Sequence, residues 1–415
     1  MKTNQSPRSL IKIGILGLGT VGSAVAQAIA KRPELGLKVK KGCDLRKVKA
    51  PFPVTRSAME VINDPEIQII VETMGGVNPA KQFVLAALKA GKHVVTSNKE
   101  LIARHMDEIM AAAKRHGVSV LFEGAVGGGI PVLNTIRDNL AGNRIDEVYG
   151  IVNGTTNYIL SKMTEEGAEF ATALKAAQKL GYAEANPKSD IAGYDAAYKA
   201  VILAATAFGA KVRLADVYRE GIEKIAAEDI AYANDIGYVI KLLAIAKRAA
   251  GKVEVRVHPA LVAKSHPLSN IHANFNAIYI KGEPVGELML YGQGAGGGPT
   301  ASAVIGDVKA LANAEYGMRN AELRKYQFKK IEEIESRYYI RLQASDRHGV
   351  LAGIAKAFAD KKVSIAAVNQ KETRGSTATI VILVHKVAEQ NLVAALRAVK
   401  KLSVVKKVSN VIRIL

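Results

Sequence analysis

Lys12-Ile13-Gly14-Ile15-Leu16-Gly17-Leu18-Gly19-Thr20-Val21-Gly22 sets a short apolar run directly before a Gly-x-Gly-x-x-Gly turn. A helical pattern through Val25, Ile29 and Ala30 follows it. Strand, glycine turn and helix in that order are the fingerprint of a dinucleotide-binding βαβ unit, and each glycine has its own task. Gly17 permits the tight turn, Gly19 lets the backbone approach a pyrophosphate, and Gly22 lets the helix pack closely on the strand. Thr20 and Val21 open the helix, whose unpaired N–H groups and positive end face the phosphates. Asp44 lies about twenty residues past the last glycine, the spacing of a carboxylate that binds the adenosine ribose hydroxyls of NAD. Lys41, Arg46 and Lys47 surround it and could equally neutralise the 2′-phosphate of NADP, so the cofactor is NADP or NAD.

Outward from this motif the rhythm continues. Leu37–Cys43, Ile67–Val71, Val94–Thr96 and Val118–Phe122 read as strands, with helices at Pro79–Ala90 and Asn98–His116. Alternation of this kind predicts an α/β fold with a Rossmann-type, mostly parallel sheet over 1–130. After Gly124–Pro131 the pattern changes. A strand at Val148–Val152 precedes Ala-rich helical segments at Glu169–Leu180, Asp195–Phe208 and Asp235–Ala250. Strands near Lys252–Val257, Ala277–Ile280 and Leu288–Tyr291 then indicate an α+β domain over 131–300. The glycine loop Gly292–Thr300 leads into a helix at about 300–320 that returns to the first domain. Residues 321–336 form a charged linker, and 337–415 carry the order βαββαβ of a ferredoxin-like domain.

With 415 residues the chain is large enough for two or three domains with separate cores. Its single cysteine, Cys43, excludes an intramolecular disulfide framework and points to a reducing compartment, the cytoplasm. The formal charge of +20 comes from 58 Lys and Arg against 38 Asp and Glu, spread as short pairs such as Lys40-Lys41 and Lys400-Lys401. Without a long basic block, and with 5% aromatic residues, the chain does not read as a nucleic-acid binder. The apolar stretch from Leu10 to Ala30 is cut by four glycines, which fits strand, turn and helix and not a membrane span.

Chemistry concentrates at Gly181–Lys199. Asp195 and Lys199 stand four apart on a helical pattern and so project from one face. An exposed pair at this spacing is an ordinary surface contact. Here Lys199 opens onto the apolar run Ala200–Ala205, with Glu184 and Asp190 on the preceding loop. A lysine buried there has a lowered pKa and can exchange a proton with an alcohol, while the carboxylates can hold an ammonium group. Lys99 follows a strand end, at the sheet edge where ligands bind in open α/β folds; a solvated first-turn lysine is the alternative.

Taken in order, Ser97-Asn98-Lys99, Glu123–Pro131, Asn153–Leu160, Gly181–Lys199 and the late glycine loop resemble homoserine dehydrogenase. The resemblance spans essentially the first 320 residues. It implies reversible reduction of L-aspartate 4-semialdehyde to L-homoserine with NAD(P)H, on the branch towards threonine, isoleucine and methionine. By the same resemblance Lys199 donates the proton, Lys99 assists and touches the cofactor, and Glu184, Asp190 and Asp195 serve the substrate. Gly181, Gly294 and Gly296 line the cleft, and Glu123 with the carbonyls of Val126, Gly128 and Ile130 holds a monovalent cation, sodium. Two lysines converging on the alkoxide would each lower the other's pKa. Asp346–Ala352 and Asn369 resemble the ligand turn of an ACT domain, which implies threonine as effector and a homodimer or homotetramer. The chain departs from the family at Cys43, where arginine is frequent, at Asn186, where aspartate is, and at His348, where proline is. Two rival readings remain: a non-catalytic dinucleotide- and amino-acid-sensing regulator, and another amino-acid dehydrogenase. The first has no need of a proton donor, and the second would be expected to use a histidine that Gly181–Lys199 lacks.

Overall fold

A computed structural model of the chain describes residues 10–249, 251–316, 331–370 and 377–414. Contacts divide the chain into two compact units, Met1–Arg319 and Asn320–Leu415.

The first unit opens with β1 (Ile11–Leu16), α1 (Thr20–Ala30), β2 (Leu37–Cys43), β3 (Val54–Thr55), α2 (Ala58–Ile62) and β4 (Ile69–Glu72). It continues with α3 (Ala80–Lys89), β5 (His93–Thr96), α4 (Lys99–His116), β6 (Val120–Leu121) and the short α5 (Val132–Asn134). The six strands are all parallel in the order β3-β2-β1-β4-β5-β6, so the strand order reverses between β1 and β4. Ligands bind at that crevice, outside the strand C-termini. Apolar runs can form these strands because both faces are covered. Ile13, Ile15 and Val71 pack under α1 on one face, and Leu16, Ile70 and Val94 join the core on the other.

The second sheet is built from β7 (Arg144–Ile151), β8 (Tyr218–Arg219), β9 (Tyr238–Ala249), β10 (Lys252–Ala263), β11 (Phe275–Glu283) and β12 (Gly286–Gln293). Between β7 and β8 come α6 (Gly154–Glu166), α7 (Phe170–Lys179), α8 (Lys188–Ile191) and α9 (Tyr194–Phe208); α10 (Ala227–Asp235) precedes β9. The order is β12-β11-β7-β9-β10-β8, antiparallel except at β10 and β8. The helix expected at Asp235–Ala250 is instead the end of α10 followed by β9. Leucine and alanine suggest a helix, yet successive side chains of this buried run alternate between two cores, as a strand covered on both faces requires. Ile240, Leu242, Ala244 and Ala246 join the main core, while Leu243 and Ile245 join a separate cluster. A central strand with partners on both edges outweighs composition. Helix α11 (Gly297–Tyr316) returns to the first sheet, where Val304 and Val308 pack with Val25 and Ile29 of α1.

In the second unit β13 (Glu335–Ser345), α12 (Val350–Ala359), β14 (Ile365–Gln370), β15 (Thr377–Ala388), α13 (Glu389–Lys400) and β16 (Val405–Ile414) follow the expected βαββαβ order. Their antiparallel sheet runs β14-β15-β13-β16 around Tyr338, Ile354, Phe358 and Ile382. Within the expected linker 321–336, a short turn occupies Ile331–Glu333, and β13 begins at Glu335. Its first ten positions, and the last positions of the return helix expected to reach 320, lie outside the described residues. Among the described residues no helix is long and apolar enough to cross a membrane.

Candidate active site

At the reversal between β1 and β4, Gly17, Gly19, Thr20 and Val21 line a cleft of about 670 Å³ with Cys43, Asp44, Arg46, Arg56 and Thr73. The glycines divide their tasks as the motif predicts. Gly17 has φ +92°, and a Cβ there would lie 2.9 Å from the Thr73 carbonyl. A Cβ on Gly22 would overlap the Gly17 carbonyl oxygen, so Gly22 is a packing residue behind the cleft and not part of its wall. At Gly19 the nearest atom to an added Cβ is Arg46 Nη2, 3.8 Å away, which leaves open space beside the N-terminus of α1.

Asp44 accepts the Leu18 N–H at 2.8 Å and two hydrogen bonds from the Arg46 guanidinium, at 3.0 and 2.9 Å. These bonds from Arg46, with the peptide N–H groups, hold its carboxyl well below the usual range. Of the three cations that the sequence offered for a 2′-phosphate, only Arg46 lines the cleft; Lys41 instead faces Asp64 at 3.5 Å. Arg56 also lines it, a residue that sequence reading missed because it sits beyond β3 and outside the glycine motif.

A second cleft of about 560 Å³ gathers Lys99, Gly181, Glu184, Asp190, Asp195, Lys199, Gly294 and Gly296, with Asn153, Thr155 and Asn274. Five separate segments contribute, and their meeting point is one carboxylate. Asp195 Oδ1 faces Lys99 Nζ at 2.6 Å, and Oδ2 accepts from Lys199 Nζ at 2.7 Å and Asn153 Nδ2 at 2.9 Å. Lys199 also donates to the Val152 carbonyl at 2.6 Å. Asn153 donates a further 2.7 Å bond to Asp190 and caps α6 by accepting the Thr156 N–H. Sequence reading gave Asn153 no task, although an Asn between a buried strand and a helix start is a capping signal. Glu184 is exposed on the rim, and its backbone carbonyl accepts from Gln178.

The two lysines differ. Lys199 is buried, with 9% of its side chain exposed, and burial pushes its pKa down, aided by Lys99. Lys99 is partly exposed at the start of α4, and the charge of Asp195 beside it raises its pKa. The expectation that each lysine lowers the other's pKa therefore fails for Lys99, because an anion lies closer to it than the second cation does. Burial works against the charge of Asp195, yet Lys199 and Lys99 hold its pKa below the usual range. Burial raises that of Asp190.

Beside this cleft lies the loop carrying Glu123, Val126, Gly128 and Ile130. Glu123 is 2% exposed and accepts the N–H groups of Leu133 and Asn134 at 2.9 and 2.5 Å. Burial pushes its pKa up to about 7. Its own N–H donates at 2.8 Å to Asp307 of α11, a second buried acid, raised to about 6 by burial. Among the described residues no group of three or more His, Cys, Asp or Glu forms a metal cluster. A single carboxylate with backbone carbonyls suits a monovalent, oxygen-liganded cation and not a transition metal.

Comparison with known proteins gives consistent matches along the chain. Residues 17–123 match the family model described as homoserine dehydrogenase, NAD binding domain; residues 131–309 match homoserine dehydrogenase; residues 338–404 match the ACT domain. A homoserine dehydrogenase of Synechocystis is 43% identical, over 98% of this chain and 99% of the relative. Among solved structures, a homoserine dehydrogenase from Thiobacillus denitrificans is 42% identical with a TM-score of 0.72, covering 97% of both chains. A hyperthermophilic archaeal homoserine dehydrogenase mutant in complex with NADPH is 30% identical with a TM-score of 0.64, covering 75% of this chain and 99% of its own.

Proposed function

Since the chain belongs to the homoserine dehydrogenase family, we propose which of its residues carry out the oxidoreduction and what else attends it. The enzyme interconverts L-aspartate 4-semialdehyde and L-homoserine, and the sensor and other-dehydrogenase readings are not favoured. A nicotinamide cofactor held by Gly17, Gly19, Thr20, Val21 and Asp44 would supply hydride exchange with the carbon that is aldehyde in one direction and alcohol in the other. Lys199 gives its proton to the carbonyl oxygen as negative charge grows there. Burial supports this role, since a lysine with a lowered pKa releases its proton more readily. Lys99 keeps its charge beside Asp195 and steadies the developing alkoxide. Asp195 spaces the two lysines, with one oxygen for each. Asp190 and Glu184, on the cleft wall and rim, meet the substrate ammonium, and Gly181, Gly294 and Gly296 leave room for substrate and cofactor.

The observation that carries this reading is the Lys99–Asp195–Lys199 chain, lining one cleft of the unit whose other cleft is built on the glycine motif. Its test is oxidation of L-homoserine followed by nicotinamide absorbance, run separately with NAD and NADP. No turnover with either cofactor would refute it. The cofactor preference turns on Asp44 against Arg46 and Arg56, and the NADPH held by the archaeal relative supports the phosphorylated form.

Sodium is the proposed occupant of the Glu123 loop, with the carbonyls of Val126, Gly128 and Ile130. Burial raises the Glu123 carboxyl to about 7, so it is mostly ionised at pH 8 and mostly protonated at pH 6, and a cation bound beside it would offset the cost of burying the charge. Replacing choline chloride with sodium chloride at equal ionic strength should raise the melting temperature more at pH 8 than at pH 6. An equal shift at both values would count against the site.

The cofactor domain is assigned to 1–130 with the return helix, the catalytic and dimerisation domain to 131–300, and the regulatory domain to 337–415. The ACT match supports an amino-acid effector, proposed to be threonine, as a pathway end product. A homodimer or homotetramer in the cytoplasm is proposed, with the second sheet at the subunit contact. The buried free thiol of Cys43 suits a reducing compartment.

A further inference from the structure

Asn276 in β11 is 0% exposed, and among the described residues neither Nδ2 nor Oδ1 of its side chain has a hydrogen-bond partner. It pairs across the sheet with Gly292 and shares its face of β11 with Ile278 and Ile280, both buried. A buried, unpaired amide destabilises the fold that contains it, a penalty that a leucine, with the same branching but no polar atoms, does not carry. Such a group therefore calls for a state in which it is paired.

Its neighbours identify that state. A Cβ on Gly294 would overlap the Asn276 amide, so the amide lies close against Gly294. A Cβ on Gly128 would likewise come 2.5 Å from the Gly294 carbonyl carbon and 2.8 Å from the Ala295 nitrogen. The loop is thus held by two contacts that admit no side chain, and the Gly129 N–H ties it further by donating to the Gln293 carbonyl at 3.1 Å. Gly294, Ala295 and Gly296 also line the cleft that holds Lys99 and Lys199. The peptide groups next to the unpaired amide are those that meet whatever enters the cleft.

We propose that Asn276 is a positioning residue for the glycine loop: its amide pairs with the backbone of Gly294–Gly296 when the nicotinamide cofactor enters, and so fixes the loop over the reacting end. This rests on the reading that the loop borders the cofactor.

The test is Asn276→Leu, with NAD and NADP as probes. The ligand-free variant should melt at or above the wild-type temperature, while cofactor binding weakens about tenfold, the share of one hydrogen bond. The cofactor KM should rise by more than kcat falls. In the wild-type enzyme, hydrogen exchange across residues 292–298 should slow when cofactor is added, a measurement independent of how the variant folds. Unchanged affinity in Asn276→Leu, a lower melting temperature of the ligand-free variant, or exchange indifferent to cofactor would each overturn the proposal. Gly296→Val separates the two readings, since Gly296 has φ +113° and faces the cleft. If that variant binds cofactor normally, the loop does not border the cofactor; if it binds weakly while Asn276→Leu does not, only the role of Asn276 fails.

Discussion

Lys199 and Lys241 are both buried lysines, and their surroundings give them different consequences. Lys199 shares Asp195 with Lys99, so its proton is held and also available. Lys199→Ala should keep cofactor binding and lose turnover by about 10²- to 10⁴-fold, the usual share of a positioned acid. Aldehyde reduction needs the ammonium form, so its kcat/KM should fall as pH rises through a pKa below the ordinary lysine value; alcohol oxidation should rise over the same range. A pH profile unchanged in the variant would count against the assignment. Lys241 is 3% exposed, donating to the Ile271 carbonyl at 2.5 Å and to Asn157 Oδ1 at 3.2 Å, and burial pushes its pKa down to about 8. Below about pH 8 both folded and unfolded chains carry this proton, and the cost of burying it is present in full. Between about 8 and 10.5 only the unfolded chain does, so stability rises with pH. Relative to Lys241→Met, the wild type should gain up to about 3 kcal/mol from pH 7 to 10.5, measured by urea denaturation. A constant difference would show that Lys241 does not titrate in that window.

Single elements show where sequence was enough. Strand β1, the glycine turn and α1 were legible because a six-residue motif fixes turn, helix start and ligand side together. The two clearances within that motif separate folding from binding. Gly22→Ala forces a methyl against the Gly17 carbonyl and should destabilise by about 1–3 kcal/mol while weakening cofactor binding. Gly19→Ala meets only Arg46 at 3.8 Å, so its melting temperature should stay near wild type while cofactor affinity falls. Thermal melts with and without cofactor distinguish them, and equal loss of stability in both would remove the distinction. Strand β9 was misread because its Leu and Ala suit a helix, and only pairing with β7 and β10 makes it a strand. The site was legible where residues are close in sequence, as with Asp195 and Lys199. Asn153, Arg56 and Asp307 were not, because their partners lie at least 37 residues away or across a cleft formed only on folding.

At the scale of the molecule, the two units have separate cores. The apolar cluster of the second unit is drawn from Tyr338 to Val405, and among the described residues the buried clusters of the first unit use none beyond Ala312. Ending the chain at Arg319 therefore removes no described buried apolar residue from the unit that holds Lys99, Asp195 and Lys199. A domain with its own core folds without its neighbour. The archaeal relative, whose length corresponds to three quarters of this chain, has a comparable extent. The shortened enzyme should oxidise L-homoserine with either cofactor at a rate near that of the full chain. Threonine inhibition is expected to be lost, because an effector acts only through a site that binds it differently in two states, typically with about 5- to 150-fold coupling. Steady-state rates against threonine concentration, for the full and shortened chains side by side, decide the matter. Persistent inhibition in the shortened chain would place the effector in the first unit, and loss of basal activity would make the second unit part of the catalytic fold.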